Sequence, residues 1–336
     1  MFAGRYELID SLGHGGMGSV FRAWDHRENR YVAAKVLRQS DASALLRFVR
    51  EQSYRVEHPH VVTPMGWAGD DARVLFTMPV VRGGSVANLL GDFGRLPSVW
   101  VAVLLDQLLD ALSEVHAAGL VHRDVKPANL LLEPTGPHRP HLRLSDFGLA
   151  ARVDEPRLTS SSVVIGTPGY CSPERLRGAP PHGSQDVYAA GVVGFEMVTG
   201  SSPDISGPPT FERPGGCAVE LWRLLREMAA ADPDDRPTAA AARTRLTVWG
   251  QVNASPGGAG YDTGPIEVFD HVPPLPGGWS SQGPLSSQAP SRAPSRAPKV
   301  RTTRSGSARW LPVALAVLGM ALLMTAGVLL LSAMPG

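Results

Sequence analysis

Residues 121–132 read VHRDVKPANLLL. His122, Arg123, Asp124, Lys126 and Asn129 stand there between two apolar flanks: a helix-like run ending at Gly119, and the triplet Leu130-Leu131-Leu132. Flanks of that kind are buried, and a charge carried into a core without a partner is costly. The chain can therefore fold well only if these polar groups face one another, or face polar matter held in an interior cleft. A solvated turn is the bland alternative, and the remainder of the sequence speaks against it.

Asn129 follows Asp124 by five residues, and LSDFGLA then supplies Asp146. A carboxylate, an amide and a second carboxylate thus fall on loops at the ends of short strands. Phosphoryl transfer to a hydroxyl needs such a set: Asp124 as proton acceptor, Asn129 and Asp146 as oxygen ligands for Mg²⁺, and Lys126 to neutralise the moving phosphoryl group. Upstream, LGHGGMGSV places Gly13, Gly15 and Gly18 at G-x-G-x-x-G spacing, which lets backbone amides approach phosphate oxygens. Alone, that pattern is equally a glycine-rich hairpin. In a dinucleotide-binding fold a helix should follow the glycines, but SVFRAWD reads as a strand. Lys35 closes the alternating run VAAK and needs an anionic partner, which Glu51 in RFVREQ can supply; an unrelated surface pair is the plainer reading.

The early segments YELIDSLG, GSVFRAWD, YVAAKVL, HVVTPMGWAG and RVLFTMPVV read as strands, interrupted by one helix over residues 43–57. From Pro97 the period changes. LPSVWVAVLLDQLLDALSEVHAAG carries Leu104, Leu105, Leu108, Leu109, Leu112 and Val115 at helical spacing, with Ser98 as the expected N-cap. SQDVYAAGVVGFEMVTG and AVELWRLLREMAA predict further helices, so a small strand-rich lobe precedes a larger helical one. Lys and Arg total 32 against 31 acidic residues, a net charge of +1 that offers no global attraction for nucleic acid. Cys171 and Cys217 match no metal-ligand spacing and suit a reducing compartment. The N-terminus has no signal-peptide pattern.

Charge is unevenly placed along the chain. No Asp or Glu follows Asp270, and Arg292, Arg296, Lys299, Arg301, Arg304 and Arg309 precede an uncharged apolar run over residues 311–334. At about 1.5 Å per residue such a helix crosses a bilayer core of about 30 Å. Basic residues on its N-terminal side predict a cytoplasmic body, a single span and the C-terminus outside, with Trp310 at the headgroup boundary. Residues 250–309, rich in Gly, Pro, Ser and Ala, read as a disordered tether; PIEVFDHVPPLP within it has a few apolar residues that could dock on another surface, but it reads first as a less polar patch of the tether.

GHGGMGSV, VAAK, HRDVKPAN, DFG and SPE occur in this order, and together they resemble the signature set of Hanks-type (eukaryotic-like) bacterial serine/threonine protein kinases. The likeness covers about residues 6–246. It implies an α+β bilobal fold over residues 6–249, with an N-lobe to about residue 81 and a helical C-lobe beyond, followed by the tether and the membrane helix. It further implies an ATP-dependent kinase acting on cytoplasmic proteins, with Mg²⁺, or Mn²⁺ in its place. Carried over residue by residue, Leu12, Gly13, His14, Gly15, Gly16, Met17, Gly18, Ser19 and Val20 would cover ATP. Lys35, paired with Glu51, would hold its phosphates, while Val20, Ala33 and Leu131 would enclose adenine. Met78 matches the gatekeeper and Pro79 to Val81 the hinge. Asp124 would be the base, Lys126 would contact the γ-phosphate, and Asn129 and Asp146 would bind metal.

The resemblance assigns structural roles to Glu174, Arg236 and Asp186. Thr167 and Lys126 fit the Ser/Thr-specific pattern, and Arg123 beside Asp124 predicts autophosphorylation at Thr159 or Ser161. Two departures stand out. EPTGPHRPHLR lengthens the connection before Asp146 and is expected to be a surface insertion without consequence; SSPDISGPPTFERPGG is shorter than usual where substrates dock. A catalytically weak, membrane-anchored pseudokinase scaffold is the alternative reading. Input is expected through the tether, the span or a dimer of kinase domains.

Overall fold

The computed structural model describes residues 1–15, 18–38, 56–70, 73–147, 151–152, 167, 169–203, 212–253 and 266–285. The chain divides into a unit of Met1–Leu285 and a second of Ser286–Gly336, and the second, with the expected span at 311–334, falls outside the described residues. So does the helix expected over 43–57, apart from its last two residues. Among the described residues no helix is long and apolar enough to cross a membrane.

Five antiparallel strands form the first lobe: β1 (Tyr6–Gly15), β2 (Gly18–Asp25), β3 (Arg30–Arg38), β4 (Gly66–Asp70) and β5 (Arg73–Met78), in the order β1-β2-β3-β5-β4. Alternation in these segments sends Ala23, Val32, Ala34 and Leu75 to one buried face with Phe2 and Tyr6. The strand expected over HVVTPMGWAG is shorter than its apolar pattern suggests. Only Gly66 onward joins the sheet, because Val61 and Val62 turn instead to Leu144 in the second lobe.

The second lobe is helical: α1 (Val86–Phe93), α2 (Ser98–Ala117), α3 (Pro173–Leu176), α4 (Gly183–Thr199), α5 (Val219–Met228) and α6 (Ala239–Asn253). The short strands β6 (Leu120–Val121), β7 (Leu130–Leu132), β8 (Leu142–Leu144) and β9 (Ala151–Arg152) pair as β6 with β9 and β7 with β8. In α2, Val101, Leu104, Leu105, Leu108, Leu109, Leu112 and Val115 are fully buried, as their spacing predicts. Asp106 and Asp110 lie off that stripe and reach Arg243 on α6. α4 is buried from Gln185 to Val198 and forms the lobe's centre.

The start of α2 corrects one expectation. Pro97 takes the cap position and makes no side-chain cap bond, while Ser98 is the first helical residue, its Oγ accepting from the buried N–H of Ala218 at 3.1 Å. Ser98 therefore fastens the approach to α5 rather than capping its own helix. Ser98→Ala is expected to cost about 1–3 kcal/mol by stranding that N–H. Urea unfolding measures the loss, and a cost below about 0.5 kcal/mol would contradict the assignment.

A larger correction concerns the tether. Residues 266–285 lie on the folded unit: Ile266 and Val268 are buried in the second lobe's core, and β10 (Trp279–Ser280) pairs with β11 (Gly283–Pro284) beside β2 and β3. From Ile266 onward PIEVFDHVPPLP is thus docked, the second of its two readings, rather than free tether. The insertion expected to be without consequence holds it, since Gly136 and Val268 exchange both backbone hydrogen bonds, at 3.0 and 2.9 Å.

Candidate active site

The loop after β6 is anchored from the far side by Asp186, in the first turn of α4. Its Oδ2 accepts from the His122 N–H and its Oδ1 from the Arg123 N–H, both at 2.8 Å, and His116 Nε2 lies 2.9 Å from Oδ2. Burial opposes the charge on Asp186, but the His116 hydrogen bond, the neighbouring histidines and the backbone donor hold its carboxyl below the ordinary range. This grip holds Arg123 at φ +68, in the left-handed region that an L-residue adopts only when its surroundings enforce it.

His122 is fully buried, and burial pushes it below its ordinary pKa against the pull of Asp186, Asp124 and Asp146. A neutral ring fits its partners: Nε2–H donates to the Ser145 carbonyl at 3.0 Å, and Nδ1 accepts from the Asp124 N–H at 3.3 Å. Its ring meets Phe147 edge-on with centroids 4.7 Å apart. One imidazole thus ties the Asp124 loop to the Asp146 loop.

Asp124 is 5% exposed and held at both oxygens. Oδ2 accepts from Lys126 Nζ and from Asn129 Nδ2, each at 2.9 Å; Oδ1 accepts from the Thr167 hydroxyl at 3.3 Å. Lys126 Nζ also donates to Thr167 Oγ1 at 2.8 Å. Asn129 ends a single 3₁₀ turn, Pro127–Asn129, and its Nδ2 donates a second time, to the Asp124 carbonyl at 2.7 Å. Pairing of Leu130 with Leu144 sets Asn129 beside Ser145, whose N–H donates to the Asn129 carbonyl at 2.9 Å, and Asp146 follows directly. Asp146, at φ +65, accepts from Lys35 Nζ at 2.6 Å.

Strand register explains why residues so distant in sequence share one wall. Gly13 pairs with Val20, Val20 with Lys35, and Ala33 with Met78; paired residues, like residues two apart on a strand, point to the same face. Gly13, Val20, Ala33, Lys35 and Met78 therefore line one face of the sheet. From the other lobe, Leu130 and Leu132 enter the core while Leu131 between them stays half-buried on the opposite side. Pro79 and Val81 follow β5 in the connection that leads to α1, outside any strand or helix. Leu12 and Ser19 lie on β1 and β2. Gly16, Met17, Glu51, Thr159 and Ser161 fall outside the described residues, as does the side chain of His14, while Gly15 closes β1.

These residues fit a metal-bound nucleotide. Both amide N–H groups of Asn129 bond to Asp124, which leaves its oxygen as the atom to meet a cation, and Asp146 adds carboxylate oxygen; hard oxygen donors suit Mg²⁺. At Gly18 a Cβ would lie 2.5 Å from the Val36 carbonyl oxygen, so the hairpin itself demands glycine. At Gly13 none of the described residues lies within 4 Å of where a Cβ would be, which leaves room on that side for a ligand.

Two contributors escaped the sequence reading. His116, at the end of α2, shares Asp186 with the loop, and Arg175 on α3 donates to the Arg123 carbonyl. Neither carries a local signal: a histidine near the end of a helix and an arginine after a glutamate are ordinary surface patterns.

A five-stranded lobe beside a helical one, with two carboxylates, two lysines and an amide gathered between them, is the arrangement of a phosphotransferase of the kinase type. The family model for the protein kinase domain matches residues 6–246. The chain belongs to that family, as a bacterial Hanks-type serine/threonine protein kinase domain. It is similar to serine/threonine-protein kinase PkaA of Streptomyces coelicolor, 35% identical over 263 residues, covering 70% of this chain and 48% of the relative. PkaB of the same organism is 37% identical over 262 residues, covering 72% and 62%. PknA of Mycobacterium tuberculosis is 35% identical over 245 residues, covering 70% and 54%. The chain thus spans about half to three-fifths of the length of these curated relatives, at 48%, 62% and 54%.

Proposed function

We propose that this chain transfers the γ-phosphoryl group of ATP to serine and threonine hydroxyls of cytoplasmic proteins, itself included. The observation that carries the reading is the Asp124 carboxylate, buried and gripped by Lys126 and Asn129, with the Thr167 hydroxyl against its free edge. A substrate hydroxyl placed where that threonine sits would give its proton to Asp124. Magnesium ATP supplies the phosphoryl group and the cation that offsets its charge. Asn129 and Asp146 would hold the metal, Lys35 would orient the phosphates, and Lys126 would stabilise charge on the transferred group. Thr167, bonded to both Lys126 and Asp124, supports selection of an aliphatic hydroxyl over a phenol.

Autophosphorylation at Thr159 or Ser161 is part of the proposal. The Arg175 guanidinium donates to the backbone carbonyl of Arg123, so two arginines are neighbours beside Asp124, and guanidinium groups are good phosphate ligands. Membrane tethering, with the kinase domain cytoplasmic and the C-terminus outside, rests on the uncharged residues 311–334 and the cations before them.

Incubation of the full chain with labelled Mg-ATP and a generic basic protein tests the activity. Phosphoserine and phosphothreonine are expected in the acid hydrolysate, with loss of transfer on chelation of magnesium. Nucleotide binding without transfer to any protein would favour the scaffold reading instead.

A further inference from the structure

Residues 266–285 touch both lobes and the connection between them. Ile266 and Val268 are buried in the helical lobe, where Val268 pairs with Gly136. Alongside the inter-lobe connection, the His271 N–H donates to the Arg82 carbonyl at 2.7 Å and Arg82 pairs with Asp270. A Cβ on Gly83 would stand 2.7 Å from Val268 Cγ1, so the segment packs directly on the connection. Farther along, Pro274 offers its carbonyl to Arg22 at 3.2 Å, and the Ser280 carbonyl accepts from the Tyr31 hydroxyl. Trp279 closes an aromatic group with Trp24 and Tyr31 at centroid distances of 6.4 and 6.2 Å. A Cβ on Gly283 would lie 2.5 Å from Trp24.

The attachments are ordered along the segment: helical lobe first, connection next, sheet lobe last. The nucleotide surfaces are divided the same way, with Val20, Ala33 and Lys35 on the sheet and Leu131, Asn129 and Asp146 on the helical lobe. Any rotation of the sheet about the 79–84 connection separates those surfaces, and the segment opposes that rotation because its two ends are fixed on different lobes. We propose that residues 266–285 are an intramolecular brace that pre-aligns the two lobes for nucleotide. The inference goes beyond the proposed activity but rests on its nucleotide site. A brace of this kind acts on affinity: apparent binding weakens in proportion to the fraction of molecules whose lobes are misaligned.

The test uses the full chain in three forms: wild type, Val268→Asp/Trp279→Ala, and a chain with residues 266–285 replaced by Gly and Ser at equal length. None of these changes touches the catalytic cluster. Hydrogen exchange is expected to rise at residues 79–84 in both altered chains. KM for ATP and the Kd of a fluorescent ATP analogue are expected to rise about fivefold or more, equivalent to an aligned fraction of about one fifth, while kcat at saturating ATP stays within about twofold. Val268→Ile and Trp279→Phe, which keep the packing, are expected to behave as wild type. Unchanged nucleotide affinity in the replaced chain, shown folded by a cooperative thermal transition that begins above the assay temperature even if lowered by the loss of Ile266 and Val268 from the core, would overturn the brace. Loss of kcat with unchanged KM would overturn it too. Failure of the kinase reading itself looks different: wild type would then show no transfer, yet exchange at 79–84 would still report whether the segment restrains the lobes.

Discussion

Phosphotransfer by the Asp124→Asn chain is expected to fall about 10²–10⁴-fold, the range that removal of a positioned general base produces. Asparagine has the same shape. Its carbonyl can accept from Lys126 and Asn129 as Oδ2 does now, and its amide can donate to the Thr167 oxygen in place of the present bond from that hydroxyl. The fold should hence persist, with a thermal midpoint close to wild type, while the group that takes the proton is lost. The fall should appear in kcat, with KM for ATP little changed, because no atom of the nucleotide wall is altered. Activity within about tenfold of wild type would show that another group accepts the proton, and the reading of this carboxylate as the base would fail.

The second large effect falls on stability. Arg236 has a fully buried side chain and meets Glu174 through two parallel bonds, at 2.7 and 2.8 Å. Its remaining donors reach the carbonyls of Ala230, Ser184 and Ala231 at 2.8, 3.1 and 3.1 Å, and its plane lies over Tyr188. Replacing Arg236 with leucine leaves a carboxylate and three carbonyls without their donor, at an expected cost of about 3–5 kcal/mol. In a domain of this size that lowers the melting temperature by about 10 °C. The effect has a pH signature. Burial raises the Glu174 pKa, but the Arg236 hydrogen bonds and charge outweigh it and hold the carboxyl below the ordinary range. The stabilisation is then present above the unfolded carboxylate value, about 4.3, and is lost as pH falls through the lower folded value. Wild type and Arg236→Leu should therefore converge in acid. A gap in melting temperature that stays constant to pH 3 would contradict this account of the pair.

Much of the site was legible because its chemistry is local in sequence. Asp124, Lys126 and Asn129 lie within six residues of one another, Asp146 sits in its own short motif, and a charged residue between apolar neighbours announces itself. The strand lobe was legible for a related reason, since alternation has a period of two and survives without knowledge of partners. Ser98 shows where this ends. A serine ahead of an apolar helix has the look of a cap, yet its oxygen bonds to Ala218, 120 positions away. Nothing near Ser98 in the chain could signal that choice.

The docked segment marks the same boundary more sharply. A stretch rich in Pro and Gly holds too little apolar surface to order itself, and read alone it is a tether. It is ordered because Gly136, Arg82, Arg22, Tyr31 and Trp24 present partners spread over more than a hundred residues, which only the folded lobes bring into a row. The sequence by itself determined which polar groups gather around Asp124 and in which order the lobes are built, since both follow from residue type and short-range period. The tertiary structure alone decided what binds the lobes together, because that depends on pairs whose separation along the chain hides them from any local pattern.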